Sequence, residues 1–174
     1  MEQLSLRIYP DPILRQVAEQ VTTFDGEARR LADAMVASMY REAGIGLAAP
    51  QVGYSLQLII ALEMKDTDDV NAEPTVLLNP RVVSASSELW TYEEGCLSIP
   101  GVAAPVLRPV AVEVEYDDLD GNAQTMAAEG MYARIVQHEI DHLNGRLFID
   151  YLSSAQKSLV KPQLRTLAER HPLS

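Results

Sequence analysis

Cysteine occurs only once in the 174 residues, at Cys96, so the chain cannot form an internal disulfide. A lone cysteine is a buried thiol, a metal ligand or a nucleophile. Long hydrophobic runs are also missing: no stretch approaches the ~18 apolar residues of a membrane span, and residues 1–7 contain no apolar signal core. We therefore expect a cytoplasmic protein without a membrane segment.

Basic residues are scarce as well. The 14 Lys and Arg stand against 25 Asp and Glu, which gives a formal net charge of −11. This balance argues against a surface that binds nucleic acid or anionic lipid mainly by neutralising phosphates. Hydrophobic residues make up 47% of the chain, enough for one compact core, and no repeat or low-complexity tract interrupts it. We predict a single domain over residues 1–174.

Helical periodicity appears at several places. Apolar residues recur at helical spacing over Asp25–Ala43, with Asp25 as the N-cap and Gly44 as the stop. A shorter helix is predicted over Ile13–Val21, after a proline-rich entry. Met131–Leu143 is apolar around much of its circumference and is followed by Asn-Gly, which favours a largely buried helix.

Short stretches with strand character occupy the middle of the chain, and the acidic segment between two of them, residues 65–73, is predicted to be a surface loop. The predicted strands are Leu56–Leu62, Thr75–Ser84, Glu88–Glu93, Val110–Tyr116 and Ala123–Ala128. A turn cluster at Asp118–Asn122 joins the last two as a hairpin. Strands grouped between helices indicate an α+β domain. We expect antiparallel sheets packed around a central buried helix, Met131–Leu143, with an N-terminal amphipathic helix and a C-terminal helix.

That helix contains the sequence H-E-x-x-H, from His138 to His142. Four residues at 100° each place the two imidazoles on one face, where they can bind one metal ion. Glu139 lies beside that face, within reach of a water on the metal, without being a ligand itself. A metal also removes the cost of burying these polar groups in an apolar helix, which weighs against a merely solvated polar stripe.

The third ligand remains open at this level. One protease class would need a histidine at position 148, which is Phe148 here. Glu169, on a later helix, would make the protein a metallopeptidase, whereas Cys96 would supply a thiolate suited to zinc or ferrous iron. A fourth protein ligand would instead give a non-catalytic, zinc-stabilised binding domain.

Three segments read together resemble the peptide deformylase family, in its order and spacing: Gly44–Gln51, Glu94–Ser98 and Gln137–His142. Weaker similarity extends from Asp11 to Leu152. The resemblance implies removal of the N-formyl group from the initiator methionine of nascent polypeptides, with release of formate. It also implies one Fe²⁺ per chain, for which zinc, nickel or cobalt can substitute.

The resemblance assigns roles to individual residues. Cys96, His138 and His142 would be the metal ligands, and Glu139 the general acid/base for the water that attacks the formyl carbon. Gln51, through its amide, and Leu97, through its backbone N–H, would stabilise the developing oxyanion. The substrate-binding residues would be Ile45, Gly46, Tyr92, Glu94, Gly95, Met131 and Ile135. Arg108 and Glu94 are expected to form a buried ion pair that braces the Cys96 loop.

The C-terminal segment departs from the pattern. Many bacterial members carry a strongly basic C-terminal helix that docks on the ribosome. Residues 153–174 here hold only four lysines and arginines, interrupted by Pro162. A proline inside a helix costs ~3 kcal/mol, so the helix is expected to kink or end there. The ribosome is therefore a doubtful partner of this tail, whereas N-formylmethionyl peptides are the expected one.

Overall fold

The computed structural model describes residues 4–63 and 73–172, which fold into three helices and seven strands. The helices are α1 (Gly26–Arg41), α2 (Gly130–Leu143) and α3 (Ser154–Arg170). The strands are β1 (Gly46–Ala48), β2 (Leu58–Ala61), β3 (Thr75–Ala85), β4 (Leu89–Gly95), β5 (Ala103–Pro109), β6 (Ala111–Asp117) and β7 (Ala123–Glu129). Short 3-10 turns occur at Pro12–Arg15, Ala49–Val52 and Phe148–Tyr151.

The strands form two antiparallel sheets. The larger has the order β1-β2-β3-β6-β7, and the smaller pairs β4 with β5. The predicted hairpin joins β6 to β7, and its turn is held by Asp118, which accepts from the backbone N–H groups of Asp120 and Asn122. Antiparallel sheets combined with three helices agree with the α+β prediction.

Apolar clusters pack on both faces of the larger sheet. α1 packs on β1 and β2 through Ala32, Met35 and Met39, which are 1% exposed or less. α2 packs through Ala133 and Val136 against buried residues of β2, β3 and β6. A third cluster joins β5, the turn at Phe148 and α3. The site described below lies where α2, β1 and the end of β4 meet.

The predicted start of α1 is confirmed, because the Asp25 carboxylate accepts from the N–H groups of Glu27 and Ala28. Its predicted end is two residues late. The helix ends at Arg41, and the left-handed residue that follows is Ala43 (φ 54°), not Gly44. Gly44 has another reason to be glycine, since a Cβ there would lie 2.8 Å from Leu97 Cδ1.

One prediction near the helices is wrong, and a second is wrong in part. Ile13–Val21 forms only the turn at Pro12–Arg15, because the backbone beyond it bonds to distant segments: Ala18 N–H donates to Leu143 O, and Glu19 N–H to Ser55 O. The predicted kink or end at Pro162 is wrong as to the end, because α3 continues through Pro162 to Arg170. It begins with a capping box in which Ser153 and Gln156 bond each other's backbone N–H groups.

The five predicted strands are present, each with bounds within two residues at either end, but β1 and β5 were not predicted. β1 has only three residues, too few for a periodic pattern. β5 contains Pro105 and Pro109, which argue against a strand in a sequence. They are tolerated because β5 pairs on one side only, with β4. The predicted loop at 65–73 falls almost entirely outside the described residues.

Candidate metal centre and active site

Three potential metal ligands converge from two elements. His138 and His142 lie one turn apart on α2, with ring centroids 5.0 Å apart, and Cys96 directly follows the last residue of β4. Cys96 Sγ lies 3.4 Å from His142 Nε2, and one ligand atom of each residue lies within 4.8 Å of the others. The structure thus brings together the three residues that the sequence singled out.

The two imidazoles differ in their surroundings. His142 is 1% exposed, and burial together with the nearby His138 lowers its pKa well below its ordinary value. It is therefore neutral at physiological pH, which is the form that binds metals. His138 packs its ring against Phe148, with centroids 6.3 Å apart, and places Nδ1 3.0 Å from Glu94 Oε2. If Nδ1 donates this hydrogen bond, Nε2 remains available for a metal.

Glu94 is the centre of a buried ionic network. Its carboxylate accepts from Arg108 Nε at 2.5 Å and Nη2 at 3.0 Å, and from Arg134 Nη1 at 2.6 Å. Burial alone would raise the pKa of Glu94, but the hydrogen bonds from His138 and Arg108 outweigh it and lower the pKa to about 2. Arg108 also donates to Asp141 Oδ2 at 2.8 Å. The expected ion pair between Arg108 and Glu94 is present, and Arg134 joins it.

Glu139 is buried beside the three potential ligands. It is 5% exposed, and its Oε2 has no hydrogen-bond partner within the described part of the chain. Burial raises its pKa to about 7. A carboxyl group with such a pKa changes its protonation state easily near neutral pH, as a general acid/base must.

Gln51 is held in one orientation by its neighbours. Its Oε1 accepts from the backbone N–H of Ala48 at 2.8 Å. Its Nε2 donates to Ser98 Oγ at 3.2 Å and lies 3.5 Å from Cys96 Sγ. The amide N–H groups of Gln51 therefore face the ligand cluster, and Leu97 lines the same cavity.

A cavity of about 520 Å³ opens beside this cluster. All seven residues predicted to bind substrate line it: Ile45, Gly46, Tyr92, Glu94, Gly95, Met131 and Ile135. Its apolar rim is accessible, since Ile45 is 38% exposed and Tyr92 is 44% exposed. Arg134 and Val102 are among the lining residues that the sequence analysis did not predict.

Comparison with known proteins decides between the functions that the sequence left open. The model of the polypeptide deformylase family matches residues 4–158. The chain belongs to the peptide deformylase family. Membership confirms the predicted reaction: a peptide deformylase is a metal-dependent hydrolase that removes the formyl group from N-formylmethionyl peptides.

Relatives and solved structures agree over nearly the whole chain. The peptide deformylase of Rhizobium meliloti is 50% identical over 155 residues, covering 89% of this chain and 88% of that protein. That of Mesorhizobium japonicum is 47% identical over 164 residues, covering 94% of this chain and 92% of that protein. A plant peptide deformylase crystal structure superposes with a TM-score of 0.92 at 36% identity, covering 98% and 92% of the two chains. A peptide deformylase structure from Plasmodium falciparum superposes with a TM-score of 0.88 at 39% identity, covering 96% of this chain and 96% of that chain.

The alternatives are not supported. Glu169 lies on α3 with its side chain 65% exposed, where it accepts from Arg165 Nε at 3.1 Å, and it is not part of the ligand cluster. Deformylase membership also excludes a non-catalytic binding domain. Among the described helices, none combines the length and apolar character needed to cross a bilayer.

Proposed function

We propose that this deformylase holds one Fe²⁺ through Cys96, His138 and His142, and that Glu139 transfers the proton during formyl removal. The observation that carries the proposal is the placement of these three ligand atoms, within 4.8 Å of one another, beside a carboxylate oxygen of Glu139 that has no hydrogen-bond partner among residues 4–63 and 73–172. One thiol and two imidazoles suit iron, zinc, nickel or cobalt, and three protein ligands leave a position open for chemistry. Because Cys96 must stay reduced to act as a ligand, the cytoplasm is the expected compartment.

A bound divalent metal would polarise the formyl carbonyl and make water a stronger acid. Glu139 would accept the proton that water loses as its oxygen attacks the formyl carbon. The C–N bond then breaks, formate leaves, and Glu139 returns the proton to the methionine amine. The buried position of Glu139 supports this role, since its pKa of about 7 suits both transfers.

Gln51 and Leu97 would stabilise the oxyanion that forms on the carbonyl oxygen. The Gln51 amide cannot rotate without losing its bond from Ala48 N–H, so its Nε2 is oriented before substrate arrives. Donors fixed in this way cost no reorganisation during the reaction, and each is worth about 3 kcal/mol. The backbone N–H of Leu97, next to the ligand Cys96, would be the second donor.

The apolar part of the cavity would bind the methionine side chain. Ile45, Tyr92, Met131 and Ile135 supply its apolar surface. Gly95, where a Cβ would lie 3.7 Å from Val102 O, would leave room for the peptide backbone. Gly46 would act on the substrate indirectly, by leaving room for the Glu139 carboxylate, since a Cβ there would lie 2.6 Å from Glu139 Oε1. Glu94 also lines the cavity, but both its carboxylate oxygens accept from Arg108, Arg134 and His138, so we assign it to orienting His138.

We further propose that residues 1–174 form one domain organised around α2, which contacts β1, β2, β3, β5, β6 and β7. The ribosome remains a candidate partner only. α3 is continuous, but its basic residues are four, and one of them, Arg165, is paired with Glu169. Cosedimentation of the protein with ribosomes at low and physiological salt would test this contact.

The deciding experiment measures formate release from a formyl-Met tripeptide by protein loaded with Fe²⁺ without oxygen. The acetyl-Met tripeptide tests selectivity, Glu139→Ala tests the proton transfer, and Glu169→Ala is the matched control. We expect release from the formyl peptide alone, lost in Glu139→Ala and retained in Glu169→Ala. Turnover by Glu139→Ala at the wild-type rate, with metal bound, would refute the assigned role of Glu139. Replacing Fe²⁺ by Zn²⁺, Ni²⁺ or Co²⁺ then ranks the metals by the rate of formate release that each supports.

A further inference from the structure

Arg134 is a buried arginine on the ligand helix, and the deformylase reaction does not by itself require it. It lies four residues before His138 on α2, so the two side chains share one face of the helix. Its side chain is 4% exposed. Nη1 donates to Glu94 Oε1 at 2.6 Å and to Val106 O at 3.0 Å, and Nη2 donates to Trp90 O.

The contacts of Arg134 tie together the two elements that carry the metal ligands. Trp90 and Glu94 belong to β4, the strand that leads directly to Cys96, whereas Arg134 belongs to α2 with His138. Its guanidinium also lies 5.1 Å from the Trp90 ring centroid, at the distance of a cation–π contact. One side chain therefore fixes the position of β4 relative to α2.

Glu94 links the position of β4 to His138, one of the proposed metal ligands. Its Oε1 accepts from Arg134 and from Arg108 Nε, while its Oε2 accepts from Arg108 Nη2 and lies 3.0 Å from His138 Nδ1. Arg134 and His138 thus contact opposite oxygens of the same carboxylate. A shift of Glu94 would turn the His138 ring.

Charge balance alone does not explain the second arginine. Arg108 is already shared between Glu94 and Asp141, and Arg134 completes a set of two cations and two carboxylates. Buried ion pairs add little net stability, because the cost of removing charges from water offsets their attraction. What Arg134 adds is a planar guanidinium whose N–H groups donate in fixed directions, which favours a role in positioning its partners.

We propose that Arg134 is a positioning residue for the metal centre, which holds β4 against α2 so that Cys96 and His138 stay at coordinating distance. The inference rests on the proposed ligand set. It predicts that loss of Arg134 weakens metal retention and disturbs the thiolate ligand, even in a protein that remains folded.

The test uses Co²⁺, whose absorption spectrum contains a thiolate-to-metal band when Cys96 is a ligand. The variants are Arg134→Met, Arg134→Lys and the control Gln137→Met. Gln137 also lies on α2, and its side-chain amide donates to Pro109 O of β5 at 3.1 Å and to Ala133 O at 3.0 Å rather than to Glu94. Co²⁺ dissociation into excess chelator, the thiolate band and the unfolding midpoint of the metal-free protein are measured for each.

We expect Arg134→Met to release Co²⁺ at least about tenfold faster than the wild type and to shift the thiolate band, as outer-shell changes typically do. Arg134→Lys, which keeps the charge but not the planar guanidinium, should release Co²⁺ at an intermediate rate, and Gln137→Met should match the wild type. A folded Arg134→Met protein with wild-type dissociation and spectrum would overturn the inference. Should Arg134→Met fail to fold, Arg134→Lys provides the test. Wild-type Co²⁺ dissociation and a wild-type thiolate band in Arg134→Lys would show that the guanidinium geometry is not needed and would overturn the inference.

The wild type and Cys96→Ser separate this inference from the proposed ligand set. A thiolate band in the wild type that disappears in Cys96→Ser supports the ligands, whatever Arg134→Met does. Absence of that band in the Co²⁺-loaded wild type would refute Cys96 as a ligand, and the inference about Arg134 would then fall with it.

Discussion

Gly46→Ala should slow formyl removal by displacing the Glu139 carboxylate. An added Cβ at Gly46 would lie 2.6 Å from Glu139 Oε1 and 2.9 Å from Ile135 Cγ2, whereas ordinary contact begins at 3.4 Å. The carboxylate must therefore retreat by about 0.8 Å, the difference between 3.4 and 2.6 Å. A displacement of about 1 Å in a catalytic group can lower the rate about 100-fold, equivalent to about 3 kcal/mol in the barrier.

Three measurements separate this effect from general destabilisation. Formate release under saturating formyl-Met peptide gives kcat, metal analysis gives occupancy, and thermal unfolding gives the cost of overpacking, which is about 1–3 kcal/mol in buried sites. Gly26→Ala is the matched control, because the nearest atom to its Cβ among the described residues is the flexible end of exposed Arg30, at 3.2 Å. A Gly46→Ala enzyme with full metal and wild-type kcat would show that the carboxylate has no required position, contrary to the reasoning.

Three further outcomes are expected. Cys96→Ser should lose tight metal binding and activity while Glu169→Ala keeps both, as measured by metal analysis after dialysis; equal retention would contradict the ligand set. Met35→Ala, at a site with 0% exposure, should lower the free energy of unfolding by about 3 kcal/mol in urea titrations, and a loss below about 1 kcal/mol would indicate a core that collapses around the gap. Burial raises the pKa of Asp150, but the hydrogen bond from Arg15 outweighs it and lowers the pKa overall. The ionised carboxylate therefore stabilises the fold at pH values above its unfolded pKa, and this stabilisation is lost as the pH falls through the lowered folded-state pKa. Asp150→Asn should therefore be less stable at neutral pH, by about 1 kcal/mol at most because the side chain is 38% exposed, and equally stable in acid; a constant difference across pH would contradict this.

The parts of the fold that follow from local periodicity could be predicted from the sequence. Helical spacing decides that His138 and His142 share a face, and this holds wherever the helix packs. Alternation along β6 likewise buries Val112 and Val114 and leaves Glu113 exposed. The start of α1 follows from one capping side chain, Asp25.

Elements that depend on distant partners could not be predicted in this way. The segment after the turn at Pro12–Arg15 has residues compatible with a helix, but Ala18 and Glu19 bond the backbones of Leu143 and Ser55 instead. Those bonds satisfy the same N–H groups that a helix would use, so the tertiary contact decides the outcome. β1 is similar, since three residues become a strand only because β2 lies beside them.

The role of Arg134 depends both on local spacing along a helix and on contacts between distant segments. Its distance from His138, four residues along a helix, is visible in the sequence and places it on the ligand face. An arginine in an apolar helix also signals a buried partner, since an unpaired charge there would be costly. The partner, Glu94, is 40 residues away and bonds it only because β4 ends where α2 passes. Spacing along one helix therefore identifies which residues can act together, but only the packing of β4 against α2 determines which carboxylate they share.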